Sequence, residues 1–203
     1  MKKNLLFNIT FSLASFFTIA LTAQNLSIGG AIKTEQGVNI AFVSVVLMDA
    51  QGTVLDSVMT TTGSYSFSNL SSGTYRLRLG KSVNPLNGVS TFDAVIAFRH
   101  LLGQAPVNSP YAVLSADINR DGAISVWDLV YARALILGIQ QHLPDQQSWR
   151  FVRSDLSFQG VSNPFQLAYG AANTIVLAGS SLTSFNFVGY KVFDLNDTAL
   201  PEN

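Results

Sequence analysis

The sequence predicts a mixed, multi-domain fold: a small antiparallel β-sandwich over residues 24–80, a helical module built from a duplicated unit over 81–143, and a β-rich extension over 144–203. Three observations support this fold class. Apolar and polar residues alternate in the first part, with glycine turns between the runs, as in half-buried strands. In the second part the apolar period becomes helical and one stretch occurs twice. In the third part strand-like runs return, separated by glycine, serine and proline turns.

Residues 1–23 have the layout of a secretory signal peptide. Two lysines precede an uncharged apolar run from Leu5 to about Leu21, and Ala23 stands at the expected cleavage position. A transmembrane anchor is the alternative, because the run approaches the roughly 18 residues that a span requires. Ser, Thr and Asn interrupt the run and favour cleavage. We therefore expect a secreted protein, extracellular or on the outer cell surface, with no stable membrane span after cleavage.

The amino-acid composition argues against nucleic-acid binding and against stabilisation by disulfides. The 203 residues carry 12 basic and 12 acidic side chains, so the formal net charge of zero gives no electrostatic basis for binding nucleic acid. The chain has no cysteine, so an exported fold would have no disulfide and would need another stabilising element. Few charges and many Ser, Thr, Gly and Asn residues suit an extracellular β-rich module.

The first part contains two predicted hairpins. "AFVSVVLMD" (41–49) predicts a strand, "AQG" a tight turn and "TVLDSVMT" (53–60) the partner strand. The following stretch resembles the closing hairpin of carboxypeptidase-regulatory-like and collagen-adhesin B-type domains, which are Ig-like sandwiches. The residues that carry this resemblance are Gly63, Tyr65, Phe67, Leu70, Gly73, Tyr75 and Leu77. We expect their aromatic side chains to lie in the core.

The second part contains the same loop-and-helix unit twice. "VSTFDAVIAFRHLLGQ" (89–104) and "ISVWDLVYARALILGI" (124–139) each predict a short helix with Asp near its start and Gly near its end. The two stretches align at an offset of 35 residues. The matched pairs are Ser90 with Ser125, Asp93 with Asp128, Val95 with Val130, Ala97 with Ala132, Leu102 with Leu137, and Gly103 with Gly138. The sequence therefore predicts an internal duplication.

The second unit opens on an oxygen-rich loop, "DINRDGAISVWD" (117–128). Oxygen donors alternate along it and Gly122 permits a sharp bend, which suits the roughly six to eight oxygens that calcium prefers. The candidate calcium ligands are Asp117, Asn119, Asp121, the carbonyl of Ala123, Ser125 and Asp128. The last ligand is Asp, where an EF-hand has Glu. The alternative is a turn whose acids only cap a helix.

The first unit has a degenerate loop. Counted back from Asp93 as the last ligand, the candidate weak second metal site comprises Asn84, Ser90 and Asp93. Ser82 and Leu86 stand at the first and fifth positions, where carboxylates are expected. A purely structural loop is therefore the favoured interpretation. "DLND" (194–197) carries carboxylates that could complete the loop.

The duplicated units, over residues 81 to about 140, resemble a type I dockerin of secreted Bacteroidetes proteins. "DINRDGAISVWDLVYARALILG" carries the resemblance most strongly, and "SWRFV" and "FVGYKVFDLN" add to it. The resemblance implies a module that binds a cohesin-like partner in extracellular complexes, commonly for polysaccharide breakdown. The partner-binding residues that it implies are Thr91, Phe92, Arg99, Val126, Trp127 and Arg133. The alternative for the two aromatic residues is that they pack the units together.

No catalytic motif is evident in the sequence. His100 lies in the first predicted helix and His142 in a polar linker, and neither has a nucleophile motif nearby. We therefore expect a secreted, non-catalytic, calcium-stabilised docking module that attaches to a cohesin-like partner. The alternative is a surface adhesin or carbohydrate-binding fragment, with a polysaccharide on the sandwich and the dockerin-like unit as a structural joint. A piece of a longer surface protein is a third possibility.

Overall fold

The protein is described here by a computed structural model, which covers residues 25–170 and 172–202; the predicted signal peptide lies outside the described residues. The predicted mixture of β-sheet and short helices is confirmed. The elements in chain order are β1 Leu26–Lys33, β2 Ser44–Asp49, β3 Val54–Met59, β4 Ser64–Leu70, β5 Gly73–Gly80, α1 Thr91–Leu101, α2 Pro110–Ala116, α3 Val126–Ile136, β6 Trp149–Arg153, α4 Pro164–Gly170, β7 Thr174–Leu177 and β8 Phe187–Lys191.

Two four-stranded sheets share one apolar core. The strand orders are β4-β1-β8-β6 in the first sheet and β3-β2-β5-β7 in the second. Inward side chains of both sheets, such as Ile28 and Phe187 from the first and Leu47 and Leu77 from the second, belong to a single buried cluster. Alternation along each strand puts one face of each sheet into this cluster, which is the arrangement of a β-sandwich.

Strands from both ends of the chain lie in the same sheets. β8 lies between β1 and β6 in the first sheet, and β7 pairs with β5 at the edge of the second. Residues 144–203 therefore complete the sandwich begun by residues 24–80. The sequence predicts an antiparallel sandwich, but the β1–β8 pair is parallel. A long connection between the two strands makes this direction accessible, whereas a tight hairpin does not.

A close backbone approach explains one glycine in the middle of β1. A Cβ atom built at Gly30 would lie 2.1 Å from the carbonyl oxygen of Phe185, in the segment leading into β8. The neighbouring Ala31 N–H donates to Oδ1 of Asn186 at 2.8 Å. The absence of a side chain at Gly30 therefore lets the C-terminal part of the chain pack directly on β1.

The helices α1 and α3 begin and end alike. Each has a serine N-cap, Ser90 or Ser125, and a capping box completed by the aspartate three residues later. Each ends before a glycine with positive φ, 66° at Gly103 and 70° at Gly138. The equivalent local structure follows the predicted duplication. A second buried cluster combines the helices with residues of the C-terminal segment, such as Phe193 and Leu195.

Two short helices are absent from the sequence-based prediction. The sequence predicts no helix after Pro144, and this is wrong because α4 is present; α2, before the oxygen-rich loop, is also unpredicted. Each has only seven residues, which is too short for a helical period to be distinct. Among the helices of the described ranges, none is long and apolar enough to cross a membrane.

Candidate cation loop and exposed helical stripes

The oxygen-rich loop joins α2 to α3. Asp117 is the C-cap of α2, and Asp128 is the third residue of α3; both side chains are completely buried. The loop turns sharply through positive φ values of 60° at Arg120 and 87° at Gly122. The bend that the sequence assigns to Gly122 is therefore present, and Arg120 adopts a left-handed conformation beside it.

Asp117 accepts hydrogen bonds from the bend of the loop. Its Oδ1 accepts from the N–H of Asp121 at 3.2 Å, and its Oδ2 accepts from the N–H of Gly122 at 2.9 Å. The hydroxyl of Tyr169, on α4, also donates to Oδ2 at 3.0 Å. Burial raises the pKa of Asp117 above its ordinary value, and the neighbouring charge of Asp128 contributes in the same direction.

Asp128 closes the loop onto its own beginning. Its Oδ1 accepts from the N–H of Ile118 at 2.8 Å and, more weakly, from that of Asn119 at 3.3 Å. Its Oδ2 accepts from the N–H and the hydroxyl of Ser125, both at 2.9 Å. The carboxylate therefore holds the start of α3 against the start of the loop. Capping, the sequence-based alternative to metal binding, is one of its roles.

On the exposed side of the loop, the carboxylate of Asp121 accepts hydrogen bonds from other residues of the same loop. Nδ2 of Asn119 donates to Oδ2 of Asp121 at 2.8 Å, and the N–H of Ala123 donates to Oδ1 of Asp121 at 3.1 Å. The carboxylate of Asp121 is exposed, unlike those of Asp117 and Asp128. Within residues 25–170 and 172–202, no group of three or more His, Cys, Asp or Glu side chains has an arrangement that could hold a metal ion.

The donor chemistry of the loop nevertheless fits calcium. Asp117 and Asp128 are buried carboxylates, and neither forms an ion pair with a cationic side chain in the described part of the chain. Buried charges are normally paired or bound to a metal. The remaining predicted donors are the amide of Asn119, the carboxylate of Asp121, the carbonyl of Ala123 and the hydroxyl of Ser125. All of these donors are oxygens, the ligand type that calcium requires.

Arg150 supports the loop and was missed by the sequence analysis. Its side chain is buried, and its guanidinium donates to the carbonyl oxygens of Asp117 at 2.5 Å and Ile118 at 2.6 Å. Nε donates to the carboxylate of Asp145 at 3.0 Å, so the guanidinium charge is paired outside the loop. An arginine inside the strand-like run "SWRFV" was the available signal, since a charge on a buried strand requires a partner.

The candidate weak site of the first unit is only partly assembled from its predicted residues. The N–H and hydroxyl of Ser90 donate to Oδ2 of Asp93 at 2.8 and 2.9 Å, as Ser125 does to Asp128. Asn84 instead accepts from the N–H of Leu86 through Oδ1, and no hydrogen bond in the described ranges joins it to Ser90 or Asp93. Oδ1 of Asp93 accepts from the N–H of Leu195 at 2.9 Å. The C-terminal segment therefore lies where Asn84 was expected.

Comparisons with known proteins do not identify a family. No protein-family model matches the chain, and no curated protein matches it.

All six predicted partner-binding residues are exposed. Phe92 is 59% exposed and Trp127 is 69% exposed, so these two side chains do not pack the units together. Small or aliphatic residues such as Ala97, Ala132 and Leu135 are buried with the helices instead. The exposed apolar residues form two matching helical stripes: Phe92, Val95 and Leu102 from α1 to its C-cap, and Trp127, Val130 and Leu137 from α3 to its C-cap.

Proposed function

We propose that the chain is a secreted, non-catalytic docking protein, stabilised by calcium, that binds a cohesin-like partner in an extracellular, polysaccharide-related assembly. In this proposal residues 81–143 form a dockerin-like module carried by an Ig-like sandwich. The observation that carries the proposal is the pair of helical stripes. Large apolar side chains exposed in the same arrangement on two duplicated helices favour a protein-binding surface.

The composition of the stripes supports protein binding. Each begins with an aromatic residue, Phe92 or Trp127, in the first turn of its helix. Each helix also presents an exposed arginine, Arg99 or Arg133, in its last turn. Aromatic and arginine side chains contribute most of the binding energy in many interfaces. Phe92 and Trp127 lie at matching positions of α1 and α3, whereas the two arginines are offset by one residue, so a partner would meet two similar but not identical surfaces.

Calcium would act on this surface through the loop. Asp128 belongs both to the candidate donor set and to the first turn of α3, next to Trp127. An ion bound by the folded loop but not by the unfolded chain stabilises the fold in proportion to its affinity and concentration. Calcium would thereby also stabilise the start of α3. Removal of calcium should weaken the fold and partner binding together.

The alternative of an adhesin or sugar-binding fragment has less support. Among the described aromatic residues with mostly exposed side chains, Phe92, Phe98 and Trp127 lie on the helices and Phe42 lies in the sandwich. A sugar-binding sandwich would be expected to present a larger aromatic platform. Nδ1 of His100 accepts the N–H of Val107 at 2.9 Å, so this side chain holds the segment that follows α1. These observations favour docking through the helices.

The test is binding of residues 24–203 to a panel of cohesin domains, with calcium and with a chelator. We expect binding in calcium that is lost in the chelator. In the Phe92→Ala, Trp127→Ala double variant, the affinity should fall by roughly thirtyfold or more, about 2 kcal/mol, as for interface hot spots. Val176→Ala is the matched control, because Val176 is equally exposed but lies on β7.

Three results would contradict the proposal or one of its parts. Failure to bind any cohesin domain in calcium would remove the docking function. Full partner affinity in the chelator would remove calcium from the mechanism. A variant with both helical aromatics truncated but unchanged affinity would show that the stripes are not the binding surface.

A further inference from the structure

We propose that a crevice between β5 and β6 binds a sugar acid, a ligand that carries a carboxylate and several hydroxyls on one ring. The residues Arg78, Arg120, Arg150 and Arg153 line this arginine crevice. Binding there goes beyond the proposed docking function and does not depend on it, because no residue of the helical stripes lines the crevice.

The crevice forms where β5 and β6 approach each other at one end and then separate. Lys81, directly after β5, makes an isolated antiparallel bridge with Trp149, the first residue of β6. Beyond this bridge the two strands belong to different sheets, since β5 pairs with β2 and β7 while β6 pairs with β8. Residues 77–79 and 149–153 line the resulting cleft of about 230 Å³, and Tyr169 of α4 also lines it.

The charged residues that line the crevice are all arginines. No carboxylate lines it in the part of the chain that the structure describes. Asp145, beside the crevice, lies 3.0 Å from Nε of Arg150 and 3.9 Å from the guanidinium of Arg120. Asp155 pairs with Arg153. Four guanidiniums thus have two carboxylate partners, so the crevice retains a net positive charge.

Arg78 and Arg120 are the guanidiniums most available to a ligand. Arg78 is exposed and forms no ion pair within the described ranges. The side chain of Arg120 is 47% exposed, and its contact with Asp145 is a long one. The guanidinium of Arg120 stacks on the ring of Tyr169, 4.8 Å from its centroid. This stacking holds the charge beside the crevice and leaves its N–H groups free to bind an anion.

Two further polar groups of the crevice lack a partner. Oε1 of Gln147 and Nε1 of Trp149 are buried, and neither has a hydrogen bond in the described part of the chain. Trp149 is only 2% exposed, so water does not readily replace the missing partner. The ammonium of Lys81 lies over the indole ring, 5.8 Å from its centroid, but it is a donor and cannot accept the indole N–H. A buried donor or acceptor without a partner is costly to the fold and indicates a ligand that supplies one.

The unpaired groups together define the ligand. Guanidiniums present a planar set of donors that matches a carboxylate. The indole N–H requires an acceptor, and Oε1 of Gln147 requires a donor such as a hydroxyl. A sulfate ion offers no donor and a neutral sugar offers no charge, whereas a sugar acid offers both. The volume is below the roughly 300–1,000 Å³ of pockets for drug-sized ligands, so the crevice suits a single ring.

The crevice adjoins the oxygen-rich loop. Arg150, which lines the crevice, also donates to the carbonyl oxygens of Asp117 and Ile118. A ligand in the crevice would therefore contact β5, β6, α4 and the loop at once. Because such a ligand binds only the folded chain, it should also raise the melting temperature. Recognition through guanidiniums requires no exposed aromatic platform, which distinguishes this site from the adhesin alternative.

The test is a titration of residues 24–203, in calcium, observed through the indole N–H of Trp149 by NMR. The chain has two tryptophans, so a Trp127→Phe background leaves the signal of Trp149 alone. We expect galacturonate to move this signal to saturation, because the indole N–H gains an acceptor. Galactose, the neutral counterpart, should not move it, and sulfate should bind several-fold more weakly.

Arg78→Gln tests the charged half of the site. It should weaken galacturonate binding by roughly tenfold or more, as expected for the loss of a hydrogen bond to a charged group. Arg76→Gln is the matched control. Arg76 is exposed two residues earlier on β5 and carries the same charge, but it does not line the crevice, so this variant should bind like the parent.

Gln147→Met tests the neutral half of the site. Methionine has nearly the length of glutamine and removes only the amide, so the fold should be retained. This variant should bind galacturonate more weakly than the parent and acetate equally well, because acetate has no hydroxyl to donate. A trimer of galacturonate distinguishes the two sources of the ligand. Tighter binding of the trimer than of the monomer would assign the site to an acidic polysaccharide, and equal affinity would assign it to a free sugar acid.

Three outcomes would overturn the arginine crevice as a sugar-acid site. The signal of Trp149 could fail to move with galacturonate. It could move equally with galactose or with sulfate, which would show no recognition of a sugar acid. Arg76→Gln could lose as much affinity as Arg78→Gln, which would show a general effect of charge. None of these results bears on cohesin binding, so the proposed docking function would stand or fall separately.

Discussion

At the residue scale, Lys191 is a buried charge whose titration should be measurable. Its Nζ donates to the carbonyl oxygens of Asn84 at 3.0 Å and Pro85 at 3.1 Å. Burial lowers the pKa of Lys191 to about 7; the charge of Asp194 opposes this change, and that of Lys81 adds to it. The position joins β8 to the segment before α1, so it links the sandwich to the helical module.

The depressed pKa of Lys191 predicts a pH-dependent stability. Between about pH 7 and the ordinary value of 10.5, the unfolded chain binds a proton that the folded chain does not. The free energy of unfolding should therefore rise with pH across this window, by up to about 1.4 kcal/mol per pH unit. Urea unfolding at pH 7 to 9 should show this slope in the parent and lose it in Lys191→Met. The exposed Lys33→Met should retain it; equal slopes in all three proteins would contradict the prediction.

At the element scale, the lack of a side chain at Gly30 allows β1 to pack directly against the chain that enters β8. Alanine there would force the Phe185 backbone away and disturb the contact between β1 and the chain entering β8. Overpacking of this kind costs about 1–3 kcal/mol. Gly30→Ala should lower the denaturant midpoint accordingly. Gly73→Ala, in β5, is the control, because the nearest atom to the new methyl group would be a ring atom of Tyr75 at 3.7 Å, an ordinary contact distance. An equal fall of the denaturant midpoint in both variants would contradict the steric explanation for Gly30.

At the scale of the whole molecule, the sandwich depends on both ends of the chain. β1 has β4 on one side and β8 on the other, and β5 lies between β2 and β7. Residues 24–80 alone would expose the edges of β1 and β5 and part of the shared apolar core. We therefore expect that fragment not to fold, whereas residues 24–203 unfold in one transition. Amide dispersion in NMR spectra would decide this, and a well-dispersed spectrum of the fragment would refute it.

This dependence affects how the alternative function is tested. A sugar-binding assay on residues 24–80 alone would fail for lack of a fold, whatever the function of the sandwich. Glycan binding must therefore be measured on residues 24–203, with Phe42→Ala removing the exposed aromatic side chain in the sandwich. Glycan binding that is lost in this variant and persists without calcium would favour the alternative.

The sequence by itself determined the local structure. Alternation predicted the strands around residues 44–79, because a half-buried strand has a period of two. The serine and aspartate pairs predicted the starts of α1 and α3, because a capping box needs only residues three positions apart. The spacing of "DINRDGAISVWD" likewise predicted the bend at Gly122 and a cluster of oxygens, since all of these contacts lie within twelve residues.

Only the tertiary structure decided which distant segments meet. The parallel pairing of β8 with β1, the arginine beneath the loop and the replacement of Asn84 by the segment at Leu195 join residues far apart in sequence. Their local patterns specify a strand, a charge and a turn but not a partner. Burial selects the partner, because an apolar face or a buried polar group is stable only where the folded chain supplies complementary atoms.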